Sequence, residues 1–304
     1  MYNIPVVMVG VKNQLQTRKK KSEKSPLNER AMPAVSIIVP VKNEERVIGR
    51  LLKALLNLKY PLSKKEIIVV NDESSDRTEE ICAQYASRPE IRVFNRPESS
   101  TKAAALNFGV SHAHGEVIAT FDADSVPEPD ALLRAVKYFE DREVAAVQGR
   151  ICSINANENM LTKFLLYEGA VEYEAYVRGK DRLNLFVGLA GTCQFIRRDV
   201  LEKIGGWNEK NLSEDVELAL RLTEKDYVVK YASDVRTWEE SPNNIQGLVK
   251  QRARWFRGNM EMGLRFGRLL RKPSKRRFDA EMTLFGTYLI VLCLVSYFMA
   301  AWSF

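Results

Sequence analysis

The residues Phe121-Asp122-Ala123-Asp124-Ser125 set two carboxylates one residue apart, directly after an apolar run from Val117 to Thr120. That run reads as a buried strand, and Pro127-Glu128-Pro129-Asp130 after it reads as a turn and helix start. Carboxylates at a strand end stand side by side, facing whatever fills the crevice there. They suit a hard cation, Mg²⁺ or Mn²⁺, which takes one or two protein carboxylates and completes its shell with phosphate oxygens and water. An Asp-x-Asp pair also occurs as a solvated turn with one Asp capping the next helix. Its meaning therefore depends on the groups around it.

Two further acidic sites accompany it. Asp72 closes an apolar run from Glu66 to Val70, and Ser213-Glu214-Asp215 precedes a helical stretch from Val216 to Glu224. Ser213 is placed as an N-cap, and acids suit the positive end of a helix, so capping alone would account for this second group.

The elements that must position these groups read as a repeated strand–helix alternation. Val35 to Val41 is a continuous apolar run of the kind buried on both faces of a parallel sheet. Val47, Ile48, Leu51, Leu52, Leu55 and Leu56 follow at helical spacing, and Tyr60-Pro61 ends that helix. Strands are expected at 66–70, 91–94, 116–121 and 144–148, and helices at 79–85, 102–113 and 131–140. A doubly wound, mostly parallel α/β sheet follows, with ligands at the carboxyl ends of its strands. Asp72 and Asp124 both fall at such ends. Beyond lie an amphipathic stretch from Met160 to Arg178, a Gly-punctuated loop from Val187 to Thr192, and a long helical stretch from Asn244 to Arg271.

Charge is distributed unevenly over the 304 residues. Residues 12–30 carry seven Lys/Arg against two Glu, and residues 250–277 carry eleven against Glu261 alone, while the total is only +7. The folded body is therefore acidic, which excludes a protein that coats nucleic acid. The basic excess instead flanks a run from Met282 to Phe304 without a charge, long enough as a helix to cross a bilayer. Lys275-Arg276-Arg277 before it places the preceding mass on the cytoplasmic side. The expected organisation is a basic arm over 1–33, disordered or lying on lipid, an α/β domain over 34–243, an amphipathic interfacial region over 244–281 and a single transmembrane helix over 282–304. Basic groups interleaved with aromatics in the interfacial region, including Arg252, Arg254, Trp255 and Arg257, suit a bilayer surface. The four cysteines have neither metal spacing nor a disulfide framework. Ile4 to Val11 lacks the flanks of a signal peptide.

Six motifs in order carry a resemblance: Val-Pro-Val-Lys-Asn-Glu at 39–44, Asn71-Asp72, Asp122-Ala123-Asp124, Gly191-Thr192, Ser213-Glu214-Asp215, and Gln251-Arg252-Ala253-Arg254-Trp255. Together they resemble the family 2 glycosyltransferases, in the membrane-bound branch that includes cellulose, hyaluronan and poly-N-acetylglucosamine synthases. The resemblance spans roughly Ala34 to Arg271 and implies a GT-A fold and a nucleotide-sugar donor, a UDP-sugar. It implies that Pro40, Asn43, Glu44 and Lys102 line the donor pocket, Asp72 meets the uracil, Asp122 meets the nucleotide or sugar, and Asp124 holds the metal. Asp215 matches the general base, and Gly191, Thr192 and Glu214 fall to the acceptor and diphosphate side. Gln251, Arg254 and Trp255 match a motif that closes over the diphosphate and acceptor. One departure is Asn71 where the family often has Asp.

The chemistry agrees with these residue types. An acceptor hydroxyl attacking C1 of the donor sugar must lose its proton to a carboxylate, and the leaving diphosphate gains charge that a metal and a guanidinium can stabilise. One base and no protein nucleophile predict inversion at C1.

The expected reaction builds a β-linked polysaccharide at the cytoplasmic membrane face. Two alternatives are transfer of one sugar to a lipid or polyprenyl phosphate, and a non-catalytic nucleotide-binding membrane scaffold. Processive synthases pass polymer through several membrane helices, whereas one is legible here. Further membrane subunits, a longer chain or a single addition would each reconcile the two.

Overall fold

The computed structural model describes residues 3–19, 32–96, 101–266 and 273–302. β1 (Val35–Val41) lies between β2 (Lys65–Asp72) and β4 (Val117–Thr120), with β3 (Ile91–Arg96) beyond β2; all these pairings are parallel. Six of the seven β1 residues are buried, as expected for a strand covered by helices on both faces. On one face, α2 (Ile48–Leu56), α3 (Thr78–Tyr85) and α5 (Ala131–Val136) pack Leu51, Leu52, Leu55, Cys82 and Leu132 against the sheet. On the other, α4 (Lys102–Ser111) contributes Ala103, Ala105 and Leu106.

The second half is where expectation and structure part. The full order is β3-β2-β1-β4-β7-β6-β8-β5. Here β5 is Val126–Pro127, β6 Val144–Ser153, β7 Gln194–Arg197 and β8 Val228–Glu239. β7 inserts antiparallel between β4 and β6, and β8 runs parallel to β6. Neither β7 nor β8 was among the expected strands. β7 has only four residues before the chain turns into α8 (Arg198–Lys203). In β8, Gly149 faces Ala232 but Arg150 faces Arg236, so residues 233–235 bulge out and break the alternation that marks a strand.

Met160 to Arg182 form one continuous helical rod: α6 (Met160–Val171), a π segment (Glu172–Val177) and α7 (Arg178–Arg182). Asn159 and Thr162 open it with reciprocal side-chain to backbone bonds of 3.0 Å each. Residues 3–19 of the basic arm are helical rather than disordered. This α1 (Asn3–Lys19) lies antiparallel on the rod. A Cβ on Gly10 would stand 1.8 Å from the Ala175 carbonyl oxygen, and one on Gly179 2.0 Å from that of Val6, so the two backbones touch. Residues 20–31 of the arm lie outside the described residues.

α9 (Glu214–Glu224) and α10 (Ile245–Phe266) lead to α11 (Lys275–Trp302), the one helix among the described residues long and apolar enough to cross a membrane. Its first turns belong to the folded domain. Asp279 is fully buried with Lys180 Nζ at 3.1 Å, and Arg277 pairs with Asp226 at 2.8 Å. Arg276 donates to Asn184 Oδ1 at 3.0 Å. Arg276 and Arg277, expected at the lipid surface, are therefore spent on docking α11, and the exposed apolar part begins near Leu289.

Candidate active site

The carboxyl ends of β1, β2 and β4 form one edge. There Asn43, in the left-handed region with φ 57°, accepts from the Ser75 N–H at 2.7 Å and donates its own N–H to Ser74 Oγ at 3.0 Å. Its side chain stitches the loop after β1 to the loop after β2. Pro40 is half-buried opposite Val70. Asp72 is buried and accepts from Arg96 at 2.7 Å. It lies two strands from the end of β4 along the same edge.

Lys102 is the centre of the cluster. It is the first residue of α4, whose N-cap Thr101 accepts from the Ala104 N–H at 3.3 Å. Lys102 Nζ lies 2.5 Å from Asp122 Oδ1 and 3.7 Å from Glu214 Oε1, and donates to the Gly191 carbonyl at 3.3 Å. Gly191 has φ +75°, and a Cβ there would stand 3.1 Å from Lys102 Nζ and 3.3 Å from Asp215 Oδ2. Only glycine meets both the backbone angle and the approach. Gln148 holds this loop from below, accepting from Ala190 N–H at 2.8 Å and donating to the Thr192 carbonyl at 3.1 Å. Asp122, Asp215, Glu214, Gly191 and Lys102 are thus brought together. Thr192 is buried and accepts from the Asp122 N–H at 3.2 Å.

Ser213 occupies the N-cap position of α9 but makes no side-chain capping bond. Its hydroxyl instead presses on α10, where a Cβ on Gly258 would come within 1.8 Å of it.

Sequence reasoning missed Glu239, the last residue of β8. Its Oε1 accepts from Ser125 Oγ at 2.5 Å and Thr192 Oγ1 at 2.9 Å, joining the Asp-x-Asp turn to the glycine loop. The available signal was the acidic pair Glu239-Glu240 before Ser241-Pro242, the same strand-end pattern that marked Asp122 and Asp124.

Crowded carboxylates raise one another's proton affinity. Burial, then Asp124 and Asp122, push Glu44 up to about 7. Burial, then Asp122 and Asp124, push Glu239 up to about 8. Asp124 is raised by burial and Asp122. Asp215 is pushed up to about 7 by burial and Glu214, with Lys102 opposing. Burial would lower Lys102, but the charges of Asp122, Glu214 and Asp215 outweigh it and the ammonium is favoured.

Among the described residues no three His, Cys, Asp or Glu side chains form a metal cage. The donor set nevertheless fits a hard divalent cation. Glu44, Asp122, Asp124 and Glu239 are mutually repelling oxygen donors, and such a cation needs only one or two of them when phosphate supplies the rest.

Gln251, Arg254 and Trp255 sit on α10 apart from these carboxylates; among the described residues none bonds to Asp122, Asp124 or Asp215. Arg254 is exposed, and Trp255, 45% exposed, lies under the Arg252 guanidinium at 4.4 Å. Arg252, expected to face lipid, is tied to Glu168 of α6. Gly258, one turn beyond Trp255, is where α10 touches the start of α9.

A mostly parallel sheet with β7 inserted antiparallel and β5 antiparallel at its end, carrying an Asp-x-Asp turn and a second acid-bearing helix start, is the GT-A arrangement. Residues 36–205 match the family described as glycosyl transferase family 2, and the chain belongs to that family. It is 34% identical over 266 residues to the beta-monoglucosyldiacylglycerol synthase of Trichormus variabilis, covering 86% of this chain and 57% of the relative. It is 30% identical over 232 residues to the poly-beta-1,6-N-acetyl-D-glucosamine synthase of Staphylococcus epidermidis, covering 76% and 56%. The chain thus spans a little over half the length of these relatives. Among solved structures, the mannosyltransferase PcManGT from Pyrobaculum calidifontis, in complex with GDP-Man and Mn²⁺, superposes with a TM-score of 0.67 at 24% identity, over 95% of this chain and 78% of that one.

Proposed function

We propose that the protein is an inverting glycosyltransferase that moves a sugar from a nucleotide sugar, a UDP-sugar, to an acceptor hydroxyl at the cytoplasmic face of a membrane. The observation that carries this reading is Lys102, whose ammonium touches Asp122 and stands beside the Glu214–Asp215 helix start. Acids suited to the donor diphosphate and an acid suited to proton removal gather around one ammonium.

In this reading Pro40, Asn43, Glu44 and Asp72 shape the nucleotide pocket. Asp124, with Asp122 beside it, would hold Mg²⁺ or Mn²⁺, which supplies a counter-charge for the diphosphate when bound. Asp215 takes the acceptor proton. Its raised affinity puts it near the working pH, where a base is both ionised and able to hold the proton. Lys102 pairs with Asp122 at 2.5 Å and limits the rise at Asp215. Gln251, Arg254 and Trp255 act on the acceptor side, with the exposed Trp255 face available to a sugar ring.

Two acceptors have specific support. The Gln-x-x-Arg-Trp motif supports a growing β-linked saccharide, as does the poly-N-acetylglucosamine synthase relative. The relative of higher identity, whose name specifies a monoglucosyldiacylglycerol product, supports a single addition to a glycerolipid. UDP release is measured over a panel of UDP-sugars with Mg²⁺ or Mn²⁺, for wild type and Asp215→Asn. Turnover abolished by the substitution supports the reading. Turnover unchanged by it removes Asp215 as base, and no turnover with any donor favours the scaffold. Product mass then separates one added sugar from a growing chain.

A further inference from the structure

α1 and α6 each carry an apolar stripe that none of the described residues covers. On α1, Ile4, Met8, Val11 and Leu15 are exposed at spacings of four, three and four residues, which sets them on one face of a helix. The opposite face, with Val6 and Gly10, is the one pressed against the rod. On α6, Met160, Phe164, Tyr167 and Val171 repeat the same spacings, again exposed, while Thr162 and Leu165 point into the protein. Met8 is 66% and Phe164 63% exposed. Large apolar side chains aligned in this way mark a contact surface.

We infer that these two stripes are seated in the apolar boundary of a lipid bilayer, so that the catalytic domain is held to the membrane at a second place besides α11. The inference rests on α11 entering a bilayer, as proposed above. Three features select lipid over a protein partner. The helices that carry the stripes are tied to the base of α11 through their covered faces: Val6 touches Gly179, whose neighbour Lys180 is 3.1 Å from Asp279 and donates to Thr283 at 2.7 Å. The flank of the α1 stripe is basic, with Lys12 exposed and further lysine and arginine in the sequence beyond it; beside the α6 stripe Lys163 is exposed and Glu168 is paired with Arg252, while Glu158 and Glu172 stand at its two ends. The α1 flank complements anionic headgroups. The π segment between α6 and α7 packs Tyr173 and Val177 into the cluster that also holds Met262 of α10 and Leu284 of α11, whereas α2 and α3 on the other face present no comparable row. A domain fixed at two places holds its cleft at a set height over the surface, which is what an acceptor embedded in lipid requires.

The test uses the full chain with Cys152→Ser and Cys293→Ser, into which Met8→Cys, Phe164→Cys or Lys53→Cys is introduced and labelled with an environment-sensitive fluorophore. Vesicles of phosphatidylcholine and phosphatidylglycerol with or without acyl-chain bromine provide the quencher. A label on the native Cys293, on the exposed half of α11, serves as the reference for depth. The expected result is bromine quenching at positions 8 and 164 that approaches that at 293, with none at position 53 on α2. Quenching at 8 and 164 no greater than at 53 overturns the inference. So does a change that follows protein-to-protein ratio and ignores bromine, which would assign the stripes to a second copy. The measurement needs no turnover, so a chain that fails to transfer sugar but is quenched refutes the proposed reaction and leaves this surface standing.

Discussion

Ser213 Oγ occupies the space a side chain would need at position 258: a Cβ on Gly258 would come within 1.8 Å of it. Position 258 is on the helix that carries Gln251, Arg254 and Trp255, and Ser213 directly precedes Glu214 and Asp215. The two halves of the proposed acceptor side are therefore in contact through one glycine. Gly258→Ala must push α10 and the start of α9 apart, and displacement of a base by about 1 Å can cost on the order of 100-fold in rate. The expected outcome is that loss in kcat with nucleotide affinity retained, measured by UDP release and by UDP titration of the same variant.

Lys102→Met removes the cation between Asp122 and the Glu214–Asp215 pair. Lys102 lowers the proton affinity of Asp215, against the dominant raising effect of burial. Without it the acid limb of the rate profile moves to higher pH. The check is the pH dependence of kcat/KM for both proteins, where a limb that stays in place removes Lys102 from the electrostatics of the base.

In the proposed reaction Asp215 would tie activity to a cost in stability. Its folded-state pKa of about 7 lies above the ordinary 3.8, so the folded protein binds the proton more tightly than the unfolded chain. Its contribution is present at pH below about 4 and is lost as pH rises through about 7. Asp215→Asn removes a charge that the fold disfavours at high pH. The variant is expected to melt about 2–4 °C higher than wild type at pH 8, with the gap closing toward pH 4, while turnover falls by about 100-fold or more.

Glu239 accepts from two buried hydroxyls, Ser125 and Thr192. Glu239→Ala leaves both to find other partners at a cost of about 1–3 kcal/mol. Glu239→Gln keeps an acceptor in the same place and is expected to retain most of that stability. Urea unfolding of the two variants beside wild type compares them directly.

The parts of this fold visible in the string were those whose physics is local. β1, β2 and β4 are continuous apolar runs because helices cover both their faces. Asp72, Asp122 and Asp124 could be placed because such strands end where ligands gather. β7 was not visible, since four residues between a tight loop and α8 carry no periodicity. β8 was hidden by the bulge at residues 233–235, and with it went Glu239, whose place in the cluster depends on a long-range pairing to β6. The helical nature of α1 also escaped, because its close seat on the rod depends on Gly10 meeting Ala175 and Gly179 meeting Val6 across about 170 residues of chain. The basic residues in the first turn of α11 were legible as charge but not as partners of Asn184 and Asp226.

The central claim is that Asp215 activates an acceptor hydroxyl for a single in-line displacement at C1, with no protein group entering the bond. The most direct measurement is the anomeric configuration of the product by proton NMR coupling, from an α-linked nucleotide sugar. A β-linked product is predicted. An α-linked product would require a different chemistry from the one Asp215 and Lys102 are placed to perform.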